Sequence, residues 1–336
     1  MNLTPTGLPA QEDSIIVPFR HLPAGRTTIA LKNKVEKNIL IRTWGGIGDQ
    51  ICSEPTLRFA LKNFKSGERI TLASEMPELF RHLNFFDVYD LKKERPVWDD
   101  FLCFETIVNH DGNSLVPQFM SHSITNCVDF PSLCAFRCQL PIADKEVVLK
   151  PECPENPELI SLANDQRHVL VHAGKHWPSK TFPKEWWDSA LDSIKKQGLV
   201  PVLVGKETDE TQGTVDTDTA GCVDLRNKTT VMETVWLSQK LKLVVTNDSS
   251  VLHMAVSGDA WIAFFASAKH PDYISHWRNG TWSWRMQNLS LGGMWNIMDN
   301  CPNRSGETRI DQVDEATLRS WLPDPEIVGP WCRERL

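Results

Sequence analysis

The sequence predicts an α/β protein of two lobes, each built on a mostly parallel sheet. Short apolar runs alternate with helix-patterned segments along most of the chain. Three of these runs, in ILIRTWGGIGDQ (39–50), VLVHAGKHWPSK (169–180) and VVTNDSSVLHMA (244–255), break into a short loop and resume as a helix pattern. A stretch with three prolines and three glutamates, KPECPENPEL at 150–159, separates two series of such alternations.

The elements follow in order. Residues 1–37 are irregular and polar apart from SIIVPF, and read as an N-terminal arm or edge element. NILIRTW (38–44) is a strand, and SEPTLRFALKNF (53–64) a helix with Pro55 in its first turn. RITLASE (69–75), DVYDL (87–91) and FETIVNH (104–110) read as strands, with helices at 76–84 and across 119–139. That series makes a first domain of 38–150, and 151–160 is a linker. In a second domain, 161–310, RHVLVHAG, VPVLVGK, CVDLRN, LVVTND and AWIAFFA are strands. KEWWDSALDSIKKQG, TVMETVWLSQKL and SVLHMAVSG are helices between them, Gly198 ending the first. A last amphipathic helix, DQVDEATLRSWL, opens a tail of 311–336, with the N-terminal domain as its expected packing partner.

Bulk properties narrow the function classes. A chain of 336 residues with 41% hydrophobic and 24% charged residues can bury two cores without staples. A net charge of −7 supplies no global attraction for nucleic acid or anionic membrane. No basic segment leads into an apolar N-terminal run, and no run approaches a membrane span, so a cytoplasmic protein without a transmembrane segment is expected. Nine cysteines are scattered without a CxxC pair; Cys127, Cys134 and Cys138 are near one another, but no second cluster completes a zinc site. Reduced thiols filling cores are the expectation. Thirteen tryptophans stand against two tyrosines. Trp277, Trp282 and Trp284 either form a satellite core or wall an acceptor site by stacking.

The loops carry the chemistry. At the carboxyl end of a parallel strand, loop amides and a following helix receive phosphate groups. In GGIGDQ, Gly45, Gly46 and Gly48 permit close backbone approach, though their spacing fits neither the dinucleotide fingerprint nor a Walker loop. Asp49 either caps the following helix or accepts a proton. The loop HAGKHWPSK places Lys175, His176 and Lys180 after a strand, a cationic setting suited to a diphosphate or merely solvated. TNDSS adds Asp248, Ser249 and Ser250 at a second strand end, and His253 falls one turn beyond Ser249. Glu207 and Glu210 follow another strand, where a carboxylate can accept hydrogen bonds from a ribose or base. No Ser/His/Asp triad and no HxE or DxD signature is present in these loops, which favours phosphate held by amides, hydroxyls and lysines without metal.

Taken together, the three loops resemble the bacterial heptosyltransferase-like glycosyltransferases (family 9) over roughly 38–325. The resemblance implies the GT-B fold, two facing Rossmann-like domains with a central cleft: an acceptor domain followed by a nucleotide-sugar donor domain. It implies an inverting, metal-independent transfer of a sugar from a nucleotide-diphosphate donor, with no cofactor. Asp49 matches the general base and Lys180 the cation that neutralises the leaving diphosphate. Gly46, Gly48, Lys175, His176, Lys180, Asp248, Ser249, Ser250 and His253 match the nucleotide-sugar loops, and Glu207 a nucleotide-side carboxylate. Ser250 stands where the family has glycine, and Ala266 in FFAS likewise, so a sugar other than heptose is plausible. The expected acceptor is a glycan, as in lipopolysaccharide or capsule assembly. Two alternatives stand beside it. One is a hydroxymethylated pyrimidine in DNA, as for viral enzymes, which requires a basic groove from Lys32, Lys34, Lys37, Arg42, Lys92, Lys93 and Arg95. The other is an inactive GT-B binding module.

Overall fold

The computed structural model describes residues 38–43, 45–63, 69–97, 102–105, 144–176, 178–206, 213–268, 271–278, 281–293 and 314–336. The N-terminal arm, the helix expected across 119–139, the three cysteines near it, Glu207 and Glu210 lie outside these. The chain forms two compact units, 1–150 with 277–280, and 151–276 with 281–336.

The first unit carries a four-stranded parallel sheet in the order β3-β2-β1-β4, with β1 Asn38–Thr43, β2 Arg69–Ser74, β3 Asp87–Asp90 and β4 Leu102–Glu105. Ile39, Leu40 and Ile41 are buried in succession, as a sheet covered on both faces requires. The helix after β1 runs Ile47–Asn63, six residues earlier than its sequence pattern indicates. Gly48 therefore lies within the helix, and Pro55 in its interior, where it cannot donate to the preceding turn. The start is set by local capping: the Gly46 amide donates to Asp49 Oδ2 at 2.9 Å. Glu54 on the same helix is fully buried, and receives Arg58 Nε at 2.8 Å and the Val148 amide at 2.9 Å. That anchors the segment 144–148 to the helix. Between β2 and β3 the expected helix at 76–84 shortens to one 3₁₀ turn, Pro77–Phe80.

The second unit holds a six-stranded parallel sheet in the order β14-β11-β10-β5-β7-β9. Its strands are β5 His168–His172, β7 Val200–Leu203, β9 Val223–Asp224, β10 Leu243–Asn247, β11 Trp261–Phe265 and β14 Met286–Asn288. Four two-residue strands stand outside it: β6 Gly174–Lys175, β8 Gly213–Thr214, β12 Trp277–Arg278 and β13 Thr281–Trp282. The apolar runs occupy the middle of the sheet, where β5 and β10 are neighbours and buried throughout. One face is covered by helix Lys184–Lys196, whose Trp186 and Trp187 pack edge-on against Phe265 at 4.8 and 6.1 Å between ring centroids. Helix Val231–Lys240 starts at a capping box, Thr230 with Glu233.

The C-terminal tail belongs to this unit. Helix Glu315–Trp321 is followed by a 3₁₀ turn, Pro325–Ile327, and a helix, Val328–Arg333, which no sequence pattern signals. Trp186 Nε1 donates to the Pro323 carbonyl at 2.9 Å, and Ser193 Oγ donates to that of Glu326 at 2.8 Å. A side chain at Gly329 would put its Cβ 2.1 Å from the Ser193 carbonyl oxygen, so this close approach needs glycine. Among the described residues no helix is long and apolar enough to cross a membrane.

Candidate functional site

Adjacent parallel strands deliver their loops side by side, and here the register decides which residues meet. Thr246 on β10 pairs with His172 on β5, so the loops after 172 and after 247 emerge together at the carboxyl edge of the sheet. The resulting site is knit by long-range polar contacts. His172 Nδ1 lies 2.8 Å from Ser249 Oγ, and Thr246 Oγ1 lies 2.9 Å from the same hydroxyl. Asn247 accepts from the Gly174 amide at 3.0 Å and donates to the carbonyls of Gly174 and Lys180 at 2.8 and 2.5 Å. Lys180 Nζ and Asp248 Oδ2 stand 2.7 Å apart, an ion pair whose alignment falls outside hydrogen-bond geometry. The carboxylate is 3% exposed and the ammonium 15%, so the lysine reaches solvent from a nearly closed anionic seat.

The remaining expected residues distribute around this core. Lys175 sits on β6, clipped to Gly213 of β8 in an antiparallel pair. His176 is exposed on the same loop with its amide held by Thr181 Oγ1 at 3.1 Å. Partial burial of its ring lowers its pKa, and the nearby Lys180 charge adds to this while Asp248 opposes it. Ser249 precedes helix Ser250–Ala255, but its hydroxyl serves His172 and Thr246 and caps no amide. Ser250 opens that helix, half-buried. Asp49 and Gly46 belong to the first unit, where the carboxylate caps its own helix; the cap reading of Asp49 is therefore what the fold displays.

His253 is 5% exposed, and its Nδ1 lies 2.8 Å from Nε2 of His276, itself 1% exposed. Burial pushes the His253 pKa down to about 3, and the Lys180 charge depresses it further, so the ring is neutral at physiological pH. Neutral imidazole is also the form that ligates metal, and both rings belong to a group of buried side chains able to hold a metal ion. His172 is likewise held neutral, its pKa lowered to about 4 by burial.

The sequence alone singled out neither Asn247, His172 and Thr246 nor His276. Asn247 and Thr246 sit in the TNDSS stretch, so their signal was present, whereas His276 lies 23 residues beyond His253 with no recognisable spacing. Trp284 is 66% exposed and meets Trp261 at 4.8 Å, while Trp277 receives the Lys145 ammonium at 4.6 Å.

Polar loops gathered at the carboxyl ends of neighbouring parallel strands stand where open α/β sheets receive their ligands. The family model described as glycosyltransferase family 9 (heptosyltransferase) matches residues 135–288. That match spans a little under half of the chain, and over it the chain is similar to the heptosyltransferase-like glycosyltransferases. A search of curated proteins finds no significant match. Among solved structures, a glycosyl transferase family 9 protein from Veillonella parvula aligns at 12% identity and TM-score 0.52, over 88% of this chain and 99% of that one. The dodecameric iron-containing heptosyltransferase TibC, in complex with ADP-D-beta-D-heptose, aligns at 13% identity and TM-score 0.56, over 94% and 81%. The iron-containing dodecameric glycosyltransferase TibC from enterotoxigenic E. coli aligns at 12% and 0.53, over 88% and 78%. These likenesses agree with the two sheet-containing lobes and flanking helices, a GT-B-like architecture.

One expectation is corrected. A metal-independent reaction with no cofactor and no metal residue is overturned by the candidate metal-ligating group that includes His253 and His276, and by similar structures that are iron-containing. Motif spacing missed it because the two imidazoles come from separate elements and are brought together only by folding.

Proposed function

We propose that this chain transfers a sugar from a nucleoside-diphosphate donor to a hydroxyl of a glycan-type acceptor. The observation that carries this reading is Lys180, an ammonium held at 2.7 Å by Asp248 at the carboxyl edge of a parallel sheet. When the bond between the sugar and the diphosphate breaks, its electron pair goes to the diphosphate oxygen. A fixed cation there stabilises the growing charge more than it stabilises the bound donor. The acceptor oxygen forms the new bond to the sugar carbon, and its proton passes to a base, the role we assign to Asp49. Lys175 and His176, on the loop of Lys180, and Ser249, Ser250 and His253, on the loop of Asp248, are assigned to the donor. Gly46 and Gly48 are assigned to the loop that the sugar approaches, and Glu207 to the nucleotide by its motif alone. Residues 38–150 then form the acceptor domain and 161–310 the donor domain.

The ligand of the similar TibC structure makes ADP-heptose the first donor to test here. The buried imidazoles of His253 and His276 fit a transition metal of the class that includes iron. Such an ion would supply a fixed positive charge beside the donor loops. A reducing, cytoplasmic setting is part of this reading, from the scattered cysteines that form no CxxC pair. The modified-DNA alternative gains nothing: Lys93 of its basic set is tied to Asp90 at 3.0 Å, and the relatives above are not described as acting on DNA.

The test is release of nucleoside diphosphate from a panel of nucleotide sugars, with and without glycan acceptors. Asp49→Asn retains an oxygen for the Gly46 amide but not the base, so turnover should drop by about 10²–10⁴ with an unchanged melting temperature. Lys180→Ala turning over at the wild-type rate, or no acceptor-dependent release from any donor, would sink the reading. Metal content measured on purified protein should fall in His276→Ala.

A further inference from the structure

Asn247 ends β10 and is 1% exposed. A carboxamide buried that deeply needs partners for its oxygen and for both of its N–H groups. It finds them on the loop that follows β5. Oδ1 accepts from the Gly174 amide at 3.0 Å, while Nδ2 donates to the Gly174 carbonyl at 2.8 Å and to the Lys180 carbonyl at 2.5 Å. These bonds join residues 67 to 73 apart in the chain. The next residue, Asp248, takes the Lys180 ammonium. Two consecutive residues at one strand end thus hold Lys180 by its main chain and by its charge.

Gly174 admits this clamp. A Cβ there would lie 2.7 Å from Asn247 Oδ1 and 2.9 Å from the His172 ring, so any side chain pushes the carboxamide out. Only asparagine meets the pattern at 247. Aspartate keeps the acceptor for the Gly174 amide but turns a carboxylate oxygen toward two carbonyls that require a donor. Serine is too short to bridge both ends of the loop.

We propose that Asn247 is a positioning residue for the transfer: it places the loop 174–180 so that Lys180 meets the donor's diphosphate. The proposal rests on the donor-site reading given above. In this role Asn247, 1% exposed, acts through Lys180 rather than by meeting the donor itself. A residue that merely stabilised the fold would affect every part of the donor alike.

The test measures binding to the full chain by calorimetry, with ADP, GDP, UDP and CDP beside their matched nucleosides. The variants are Asn247→Asp, Lys180→Met and the double variant. Asn247→Asp is expected to weaken the nucleoside diphosphate that binds by about 10-fold, and its nucleoside by less than about 2-fold. In the Lys180→Met background the same change should cost less than about 2-fold, because its route is already removed. Equal losses for diphosphate and nucleoside, or a full loss that persists without Lys180, would overturn the proposal. A wild-type chain that binds none of the four diphosphates overturns the donor-site reading itself, and the proposal with it. Where Asn247→Asp does not fold by circular dichroism, Asn247→Ser carries the same comparison. Gly174→Ala, which presses on the clamp from the other side, should reproduce the pattern.

Discussion

The loop after β1 and the pair of loops after β5 and β10 look alike in sequence, yet they are held in different ways. Among the described residues, the ties named here for the first are short in sequence. Its Gly46 amide is bound by Asp49 three residues on, and Gln50 Nε2 donates to the Gly45 carbonyl five residues back. Its farthest tie among these is Ser74 Oγ donating to Gln50 Oε1, across 24 residues. The second set depends on partners 67 to 77 residues away: Asn247 with Lys180 and Gly174, and His172 with Ser249. Local ties form with the helix they cap, whereas distant ties exist only once the sheet has assembled. The first loop should therefore tolerate change that the second does not.

Paired glycine substitutions give the widest separation. Gly205 follows β7 but backs onto His172, which ties the second set together. It has φ +121°, and its Cβ would lie 2.5 Å from Thr214 Cγ2 and 2.8 Å from the His172 ring, so Gly205→Ala should cost about 3–4 kcal/mol in chemical denaturation. Gly45 has φ +94°, but the atoms nearest its Cβ would be those of the Asp49 side chain, the first at 3.0 Å. Gly45→Ala should cost about 1–2 kcal/mol, mostly backbone strain. Equal losses at the two sites would break the contrast.

Lys180→Ala comes next. It strands the Asp248 carboxylate at 3% exposure, and removing one partner of a buried pair costs about 3 kcal/mol. Lys180→Ala with Asp248→Asn should regain most of that, since a neutral amide needs no counter-charge.

Acid should then probe His172. Its folded pKa is about 4, against about 6.5 for an exposed histidine. Between those values the unfolded chain binds a proton that the folded chain refuses, so this contribution is intact above pH 6.5 and shrinks as pH falls. From pH 7 to pH 5 it removes about 2 kcal/mol, and His172→Gln should flatten that part of the stability–pH curve. The smallest effect belongs to the local loop. Asp49→Ala loses one cap bond, for about 1 kcal/mol, and hydrogen exchange should rise only in the first turn of helix Ile47–Asn63.

The same contrast explains what could be read in advance. The apolar run at 169–173 and its neighbour at 243–247 announced themselves as buried strands, and the polar residues that end them marked a phosphate-type loop. Pro55 misled, because a proline in a helix pattern reads as a first turn; here Asp49 and Gly46 start the helix sooner and its interior absorbs the break. Asn247 was hidden beside a more conspicuous aspartate, its meaning lying in a loop far along the chain.

By itself, the sequence determined the alternation of strands and helices, the two series of them, and the loops where chemistry resides. These follow from periodicity and turn chemistry, which act over a few residues. Only the tertiary structure decided that Thr246 would stand beside His172, that Asn247 would clamp Lys180, and that His253 would face His276 at 2.8 Å. It also decided that the C-terminal tail would close over Ser193. Each of those depends on strand order and register, and a pairing between distant residues leaves no local pattern in the chain that makes it.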